Sequence, residues 1–509
     1  MNFPFESVGF WLWRRAQLTP NRVALSVPVG EDSRHEFTYA ELDERTARLA
    51  GALTASGIAA GDRVAMLLSN GNEYIEALFA CARIGAIAVP LSFRLAAAEL
   101  EFMMEDSGST ALIYGQEWSS LVGTLRERTG VKAIFVVGSG PDPSYEDALR
   151  EAELLTEPRA CAVDDVLAIF YTSGTTGVPK GAMLTHGNFF WTNLNLVFSF
   201  GYYQDERTLV VLPMFHVGGW NANLLATMLS GGTVVLERSF DPERAFRIIS
   251  AEHITSIMGV PTIYQMLADH SDWAATDLSS VRGALCGGAP LPVPLIRRYQ
   301  ERGIRFIQGY GLTEAAPNCL ILPPEDSVRK AGAAGRPYFY ADVRVVDEAG
   351  TDADEGEIIV GGPGVMKGYW NRPDATAETL RGGWLHTGDI GRIDDEGYIT
   401  IVDRVKDMYI SGGENVYPAE VEKVLAGHPA VVEAAVIGIP DERWGESGRA
   451  IVVLRNGAEA DANEIQAFCA ERLAKFKVPA SVVFTDTLPR NPTGKLLKTQ
   501  LRERFGGAR

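Results

Sequence analysis

One segment of the chain combines glycine, hydroxyl and lysine residues in a spacing suited to binding phosphate. The run Tyr171–Gly181 reads YTSGTTGVPKG and follows an apolar strand predicted over Val166–Tyr171. Within Ser173–Gly181, glycines let backbone N–H groups converge on an anion, three hydroxyl side chains add donors, and Lys180 adds a positive charge. A Val-Pro pair separates the lysine from its glycine, so the segment is not a Walker A loop. It predicts a polyphosphate-binding loop of another kind.

Five further segments carry residue types suited to nucleotide binding or catalysis, and they follow this loop in order. They are Gly287–Pro290 (GGAP), Gln308–Glu314 (QGYGLTE), Trp384–Asp389 (WLHTGD), Asp403–Asn415 (DRVKDMYISGGEN) and Asn491–Lys495 (NPTGK). Alone, Thr-Gly-Asp is an ordinary turn, and a lysine near the C-terminus is an ordinary solvated charge. Together, the six segments resemble the motifs of the adenylate-forming superfamily, which includes acyl-CoA synthetases, peptide-synthetase adenylation domains and firefly-type luciferases. The resemblance extends over nearly the whole chain.

This resemblance implies an ATP site and a role for several residues in it. Tyr310 would stack on adenine, Asp389 would accept hydrogen bonds from both ribose hydroxyls, and Thr313 would contact the α-phosphate. Arg404 would make a second contact to ribose or phosphate. The complete implied ATP-binding set is Thr172, Ser173, Gly174, Thr175, Thr176, Gly177, Lys180, Gly288, Ala289, Pro290, Gly309, Tyr310, Gly311, Thr313, Asp389, Arg404 and Lys495.

The same resemblance implies a magnesium site and a catalytic lysine. Glu314 would bind Mg²⁺, with Thr172 as a hydroxyl ligand; one carboxylate is sufficient because magnesium retains most of its waters. Lys495 would bridge the substrate carboxylate and the α-phosphate as negative charge develops there. The implied catalytic residues are Lys495, Thr313, Glu314 and His216.

A third group of residues borders the place where the resemblance locates the acyl substrate. His216 lies in PMFHVGG, residues 213–219, at a position that in amino-acid-activating relatives holds an aspartate for the substrate ammonium. A histidine provides no such anchor, which argues against an α-amino acid substrate. The candidate pocket walls are Phe215, His216, Val217, Trp220, Met258, Cys286 and Ala315, and each would fit an ordinary apolar core nearly as well.

For a second step with coenzyme A, the resemblance implies a rotation of the C-terminal domain about a hinge at Lys406. The implied CoA-binding residues are Gly412, Gly413, Glu414, Trp444 and Lys477. Trp444 would pack on the CoA adenine, and Lys477 would either contact a CoA phosphate or remain a solvated charge. Tyr409 stands where relatives often have an aliphatic residue, and it would either shape the CoA tunnel or pack in the core.

The elements that must position these segments follow from hydrophobic patterning. A strand at Asp62–Ser69, a helix at Glu73–Ile84 and a strand at Ile87–Leu91 form a βαβ pattern, which predicts a parallel sheet. The pattern recurs between residues 233 and 268. After about Ala341, short strands alternate with acidic turns, and after Asp403 the elements are typical of a compact α+β stretch.

The prediction for the fold is therefore an α/β protein in two domains. With the resemblance, residues 1–403 would form a large N-terminal domain of βαβ-type subdomains plus a small β-barrel-like subdomain. This domain would hold the ATP and acyl sites. Residues 404–509 would form a small mobile α+β C-terminal domain that carries the hinge and the catalytic lysine.

Composition and charge narrow the classes of function. The chain has 509 residues, enough for about three to four folding units, and its net charge of −18 makes it a poor candidate for coating nucleic acid. Five scattered cysteines without a CxxC pair predict reduced thiols in a cytoplasmic protein. The order of basic and apolar residues at the N-terminus is wrong for a secretory signal, and no apolar run is long enough for a membrane span. Self-association into a homodimer is left open.

The leading interpretation is an ATP-dependent carboxylate–CoA ligase that uses Mg²⁺ and acts on an apolar fatty, aryl or polycyclic acid. Three alternatives remain: an adenylation-only ligase that delivers to a carrier protein, a luciferase-like oxygenase, and an inactive binding protein. Fatty-acyl-AMP ligases carry an insertion before the hinge motif, whereas residues 335–364 and 386–404 are compact here. Retention of the motif residues Lys180, Glu314, Asp389, Arg404 and Lys495 argues against an inactive protein.

Overall fold

The computed structural model describes residues 7–30, 33–126, 128–172, 179–288, 290–404, 407–411, 414–441, 444–473, 475–490 and 496–506, with the side chains of residues 403, 404, 410, 414 and 415 outside the description. The chain divides into two compact units. The first comprises Met1–Val343 and Val360–His386, and the second comprises Arg344–Ile359 and Thr387–Arg509. The domain boundary predicted from the sequence, between residues 403 and 404, differs from this division of the chain. That boundary stays a prediction.

The first unit contains two large sheets, each with parallel strands at its centre. In spatial order, the strands of one sheet are Arg336–Pro337, Leu320–Leu322, Arg305–Tyr310, Gly283–Gly287, Ser256–Gly259, Arg207–Val210, Thr233–Leu236, Val23–Pro28 and Arg34–Thr38. Those of the other are Gly368–Tyr369, Lys180–Thr185, Val166–Thr172, Ile87–Pro90, Arg63–Leu67, Ala111–Gly115 and Ala133–Val137. Parallel neighbours end at the same edge of a sheet, so the loops that follow them lie together.

Helices connect these strands and enclose the main core. Their bounds are Gly9–Leu18, Tyr39–Ala55, Asn72–Ile84, Ala97–Ser107, Ser119–Arg126, Tyr145–Glu151, His186–Phe200, Val217–Asn221, Leu224–Ser230, Pro242–Ala251, Pro261–Asp269, Val293–Gln300 and Pro373–Thr379. Strand residues from both sheets, such as Val64 and Val234, belong to one continuous apolar cluster with helix residues such as Leu78. The two sheets are therefore held by a shared core, and the loops at their edges have a rigid base.

The predicted βαβ units are confirmed. Strand Arg63–Leu67 pairs in parallel with Ile87–Pro90, and helix Asn72–Ile84 connects them. The helix ends at Gly85, whose φ of 77° is the left-handed conformation that glycine adopts at a helix terminus. The second predicted unit is also present, and its elements are Thr233–Leu236, Pro242–Ala251, Ser256–Gly259 and Pro261–Asp269.

The short strands predicted after Ala341 are present, as is the α+β stretch at the C-terminus. The former are Asp342–Val346, Glu355–Gly361, Leu380–Arg381, Trp384–Ile393 and Ile399–Arg404. One of the predicted acidic turns, at residues 394–397, joins the last two as a hairpin, with Ile393 opposite Ile399. The C-terminal elements are Tyr409–Ser411, Glu414–Val416, Pro418–Ala426, Val431–Asp441, Gly445–Leu454, Ala462–Ala470, Ser481–Phe484 and Lys498–Phe505. Apolar spacing predicts a helix over Ala462–Leu473, and the observed helix ends three residues earlier, at Ala470.

Two predictions about the whole chain can be compared with the described residues. All five cysteines are buried and none forms a disulfide, as expected for reduced thiols. Within the part of the chain that the structure describes, no helix combines the length and apolar character that crossing a membrane requires.

Tyr409 packs in the core of the second unit. Its side chain is 2% exposed and belongs to an apolar cluster with Val416 and Val436. Glycines leave room for the ring, because a Cβ at Gly438 would lie 2.4 Å from the Tyr409 Cβ and one at Gly448 would lie 2.3 Å from its hydroxyl. Of the two roles predicted for Tyr409, packing is the one that the structure displays.

The buried hydroxyl of Tyr409 has no hydrogen-bond partner among the described residues. We therefore expect Tyr409→Phe to leave the second unit as stable as before or about 1 kcal/mol more stable, since it removes an unsatisfied polar atom. Tyr409→Ala should cost about 3–5 kcal/mol through the cavity that it leaves. Hydrogen exchange of the backbone amides in Val431–Asp441 and Gly445–Leu454 measures both effects. Strong destabilisation by Tyr409→Phe would show that the hydroxyl makes a required contact.

Candidate active site

Two of the predicted ATP-binding segments, Gly287–Pro290 and Gln308–Glu314, lie side by side in the first unit. Strands Gly283–Gly287 and Arg305–Tyr310 are parallel, and Gly287 pairs with Gly309. Two residues without side chains are therefore adjacent where the strands end, which leaves a flat backbone surface. The Gln308 side chain connects the two segments, because its Oε1 accepts a hydrogen bond of 3.0 Å from the backbone N–H of Leu291. Gly288, with φ of 84°, begins the loop that contains Pro290.

The centre of the site is the carboxylate of Glu314, which is 9% exposed. Its Oε1 accepts hydrogen bonds from the hydroxyls of Tyr369, at 2.9 Å, and Thr172, at 3.3 Å. Burial, and then the adjacent carboxylate, raise the pKa of Tyr369 well above its ordinary value, so the phenol stays protonated and donates. Two predicted magnesium ligands, Thr172 and Glu314, are thus in contact.

The two ends of the predicted phosphate loop lie close to Glu314 and Tyr369. Strands Val166–Thr172 and Lys180–Thr185 are antiparallel, with Thr172 opposite Lys180. The Lys180 Nζ lies 5.2 Å from the ring centroid of Tyr369, the phenol that donates to Glu314. The Thr172 hydroxyl and the Lys180 ammonium, at the two ends of the predicted phosphate loop, are therefore both linked to the pair formed by Glu314 and Tyr369.

The short segment that presents Glu314 has a tightly restricted backbone. Residues Thr313–Ala315 form a single 3₁₀ turn, and Ala316 follows with φ of 56°, a conformation that residues other than glycine rarely adopt. Gly311 precedes the turn, and a Cβ there would lie only 1.3 Å from the carbonyl oxygen of Pro317. Glycine is required at this position because no side chain fits.

Asparagine side chains hold this turn in place. Asn221 Nδ2 donates to the carbonyl oxygen of Ala316 at 3.0 Å, and Asn193 Nδ2 donates to Asn221 Oδ1 at 3.0 Å. Asn188 Nδ2 donates to the carbonyl oxygens of Pro363 and Val365, both at 2.8 Å. The next residue, Met366, donates its backbone N–H to the Glu314 carbonyl oxygen at 2.8 Å. These neutral contacts fix the left-handed Ala316 and its neighbours without adding charge.

His216 is partly buried and lies next to the aromatic ring of Phe215, at a centroid distance of 4.5 Å. Burial, and then the nearby guanidinium of Arg94, lower the pKa of His216 from 6.5 to about 4. Its buried Nε2 has no hydrogen-bond partner among the described residues. The imidazole is therefore neutral at pH 7.

The other candidate pocket walls occupy different environments. Phe215, Val217 and Ala315 are buried, and Trp220 is fully buried with its ring 4.9 Å from that of Phe170. Met258 packs beside Leu285, whereas Cys286, one residue further along the neighbouring strand, belongs to a separate core cluster. Cys286 and Met258 thus face opposite sides of the sheet, and the structure does not bring them together.

The second unit contains the predicted ribose-binding residue. Asp389 is 7% exposed, and its backbone N–H donates to the Thr387 hydroxyl at 3.1 Å. That hydroxyl donates to the carbonyl oxygen of Ile358 at 2.7 Å, and Gly388 N–H donates to Glu357 Oε1 at 3.1 Å. Asp389 pairs in register with Arg404, so the two residues predicted to contact ribose lie on adjacent strands.

The described CoA-binding candidates also lie in the second unit. Trp444 is 46% exposed. Lys477 Nζ forms an ion pair with Glu420 at 2.7 Å, so phosphate binding by this lysine would compete with that carboxylate. Ten predicted residues lie outside the described part of the chain: Ser173, Gly174, Thr175, Thr176, Gly177, Ala289, Lys406, Gly412, Gly413 and Lys495. The side chains of Arg404 and Glu414 are also outside it.

The structure adds residues to the site that the sequence analysis did not single out. Tyr369 contacts Glu314, and Asn188, Asn193 and Asn221 position its loop. Tyr369 lies in the segment Gly368-Tyr369-Trp370. This segment contains no charged residue that would have marked it as part of the site. Nothing in their local sequence distinguished the asparagines, because their partners are distant along the chain.

Comparisons with known proteins agree with the motif order. The model of the AMP-binding enzyme family matches residues 12–370, and the AMP-binding enzyme C-terminal domain matches residues 420–495. The chain belongs to the AMP-binding enzyme family.

Similar proteins span the full length of the chain. It is 46% identical over 507 residues to a feruloyl-CoA synthase from Amycolatopsis, covering 98% of this chain and 99% of that protein. It is 41% identical over 502 residues to a long-chain-fatty-acid–CoA ligase from Mycobacterium tuberculosis, with coverage of 98% and 99%. Its fold is similar to that of O-succinylbenzoate coenzyme A synthetase from Bacillus subtilis in complex with ATP and magnesium ion, with a TM-score of 0.87, 38% identity and coverage of 97% and 99%.

The contact between Tyr369 and Glu314 leads to a prediction about magnesium dependence. Tyr369→Phe removes a donor to a buried carboxylate, so kcat/KM for Mg-ATP should fall roughly 10-fold and the half-saturating Mg²⁺ concentration should rise. The matched control is Tyr114→Phe, because the buried Tyr114 hydroxyl donates to Asp142 at 2.7 Å, outside the contacts described for Glu314. Pyrophosphate exchange measured across a Mg²⁺ series tests this, and equal effects of the two variants would contradict it.

The pKa of His216 leads to a prediction about acid stability. Its folded pKa of about 4 lies below its ordinary value of 6.5, so the unfolded chain binds more protons between these limits. The contribution of His216 to stability is therefore complete above about pH 6.5 and decreases as the pH falls towards 4. In NMR titrations, the His216 ring signal, assigned by its loss in His216→Phe, should stay constant from pH 8 to 6. A midpoint near 6.5 would contradict a buried neutral imidazole.

Proposed function

We propose that this chain is an ATP-dependent carboxylate–CoA ligase. It converts a carboxylic acid and ATP to an acyl-adenylate and pyrophosphate, and then transfers the acyl group to coenzyme A with release of AMP. The observation that carries this proposal is that Thr172 contacts Glu314 and Lys180 contacts Tyr369, the phenol that donates to Glu314, at the two ends of the predicted phosphate loop. Relatives that match the chain from end to end are CoA synthases and CoA ligases, which supports the same reaction.

The described residues suit the first half-reaction. The substrate carboxylate attacks the α-phosphorus of ATP, the P–O bond to pyrophosphate breaks, and pyrophosphate leaves with the electron pair. Glu314 and Thr172 are oxygen donors of the kind that Mg²⁺ takes, and bound magnesium would neutralise phosphate charge. The ammonium of Lys180 adds positive charge beside the same loop. Positioning and charge neutralisation are the main requirements of phosphoryl-transfer chemistry.

The C-terminal part of the chain would supply the remaining groups. Under this proposal Lys495 bridges the carboxylate and the α-phosphate, Asp389 and Arg404 bind ribose, and rotation about Lys406 separates the two half-reactions. Residues 404–509 would move as the C-terminal domain. In the second step the CoA thiolate attacks the acyl carbonyl carbon, the bond to the adenylate oxygen breaks, and AMP leaves.

The acid is proposed to be apolar and not an amino acid. Neutral His216 offers no negative charge to hold an ammonium group, the nearby Arg94 is a cation, and the predicted walls Phe215 and Val217 are apolar. The names of the relatives cover aryl and fatty acids, namely ferulate, long-chain fatty acids and 2-succinylbenzoate. Five unpaired buried cysteines support a reducing location, which we propose to be the cytoplasm.

The test is a panel of carboxylic acids assayed for pyrophosphate release with and without CoA, with hydroxamate trapping of the adenylate. We expect CoA-dependent turnover with at least one aryl or fatty acid and no reaction with α-amino acids. Acyl-adenylate without thioester would instead indicate delivery to a carrier protein. Absence of pyrophosphate release with every acid would overturn the proposal.

The role proposed for Lys495 leads to a prediction that separates the half-reactions. Lys495→Ala should slow acyl-adenylate formation roughly 10²–10³-fold, because it removes preorganised positive charge, and should spare thioester formation from supplied acyl-adenylate. The control is Lys423→Ala, which removes an exposed lysine from helix Pro418–Ala426. Single-turnover measurements of each half-reaction provide the readout. Equal losses in both would be incompatible with the role.

A further inference from the structure

A narrow cavity lies behind the segment that carries His216. Its walls come from the strand end at residues 210–212, the helix Val217–Asn221, the start of helix Leu224–Ser230, and Met258. The lining residues are Val210, Val211, Leu212, Gly218, Gly219, Asn223, Leu224 and Met258. Of these side chains, Asn223 alone carries polar atoms. Since Met258 is a predicted wall of the acyl site and Gly218 follows His216 by two residues, the cavity adjoins the place proposed for the acid.

Asn223 is 1% exposed, and only one of the two polar atoms of its side-chain amide has a hydrogen-bond partner among the described residues. The hydroxyl of Tyr202 donates to Asn223 Oδ1 at 2.6 Å, which fixes the amide and leaves Nδ2 on its other side. That Nδ2 is buried and has no partner among the described residues. A buried amide donor without an acceptor is unfavourable, so its persistence in a ligand site favours a ligand that supplies the acceptor.

The shape of the cavity limits what that ligand can be. A Cβ built on Gly218 would meet no atom within 4 Å, so the helix presents a bare peptide surface to open space there. A bare peptide face suits a planar ring better than a branched group. The cavity itself is narrow, and its remaining walls are apolar. It can accept a small substituent at the end of a flat group, whereas a long alkyl chain would neither fit nor satisfy the amide.

We propose that Asn223 is a specificity-determining residue for an aryl acid that bears a hydroxyl or ether oxygen at the end of the ring distant from its carboxylate. The hydroxyl or ether oxygen on the aryl ring accepts a hydrogen bond from Asn223 Nδ2. Tyr202 holds the amide in the orientation that makes this donor available. This inference rests on the proposed ligase function, and it adds the class of acid and the group that recognises it.

The test compares 4-hydroxycinnamic and 4-methylcinnamic acid, which differ by a hydroxyl and a methyl group of similar size. The wild-type enzyme should prefer the hydroxy acid roughly 10-fold or more in kcat/KM, because the methyl compound leaves the buried amide unpaired. In Asn223→Leu the ratio should fall to about one. A ratio measured on one preparation does not depend on the active fraction, so partial misfolding cannot imitate this result.

Two further variants complete the design. Thr227→Val removes a buried hydroxyl that contacts Thr208 at 2.7 Å and does not line the cavity, so it should keep the wild-type ratio. Gly218→Ala places a methyl group in open space, so folding should be unaffected while KM for both aryl acids rises roughly 10-fold.

The outcomes separate this inference from the proposed function. No preference in the wild type, or a preference that survives Asn223→Leu, overturns the role of Asn223. An unchanged KM in Gly218→Ala overturns the location of the ring. If decanoic acid releases pyrophosphate and neither aryl acid does, the inference fails while the ligase function stands. If no acid releases pyrophosphate, the proposed function itself fails.

Discussion

The candidate site depends on the burial of one carboxylate, Glu314. A buried negative charge is unfavourable unless hydrogen-bond donors or cations compensate it. Tyr369 and Thr172 donate to Oε1, and the ammonium of Lys180 lies over the Tyr369 ring. These contacts draw together the strand before the phosphate loop, the strand after it and the turn at Thr313–Ala315. The arrangement of the nucleotide site therefore follows from satisfying a single charged group.

Neutral amides extend this arrangement to the acyl side. Asn221 belongs to the helix that follows His216, and it donates to the carbonyl oxygen of Ala316, two residues after Glu314. The segment predicted to border the acid and the turn predicted to border the nucleotide are thus joined by a direct hydrogen bond. Amides suit this task because they donate without adding charge next to a carboxylate. Displacement of one segment would be transmitted to the other through this contact.

The proposed acyl side depends on neutral polar groups. His216 is neutral because burial lowers its pKa, and the cavity behind it contains the amide of Asn223 among apolar walls. In such surroundings a single unpaired polar atom discriminates between ligands more sharply than additional apolar contact, because an unsatisfied buried group is costly whereas one methylene contributes little. Selectivity in this site would accordingly follow from polar complementarity.

The amino-acid sequence by itself determined the class of protein and the βαβ organisation, and it predicted the nucleotide motifs. Each depends on residues close together in the chain: a phosphate loop needs its glycines and hydroxyls within a few positions, and helix and strand periodicities are local. Only the tertiary structure revealed that Tyr369 donates to Glu314 across 55 residues, that Asn221 supports Ala316 across 95, and that Met258 and Cys286 face opposite sides of a sheet. Tyrosine and asparagine have no charge or periodicity that marks them in advance. Their roles arise when packing brings distant segments within hydrogen-bond distance, and so they could be read only from the folded chain.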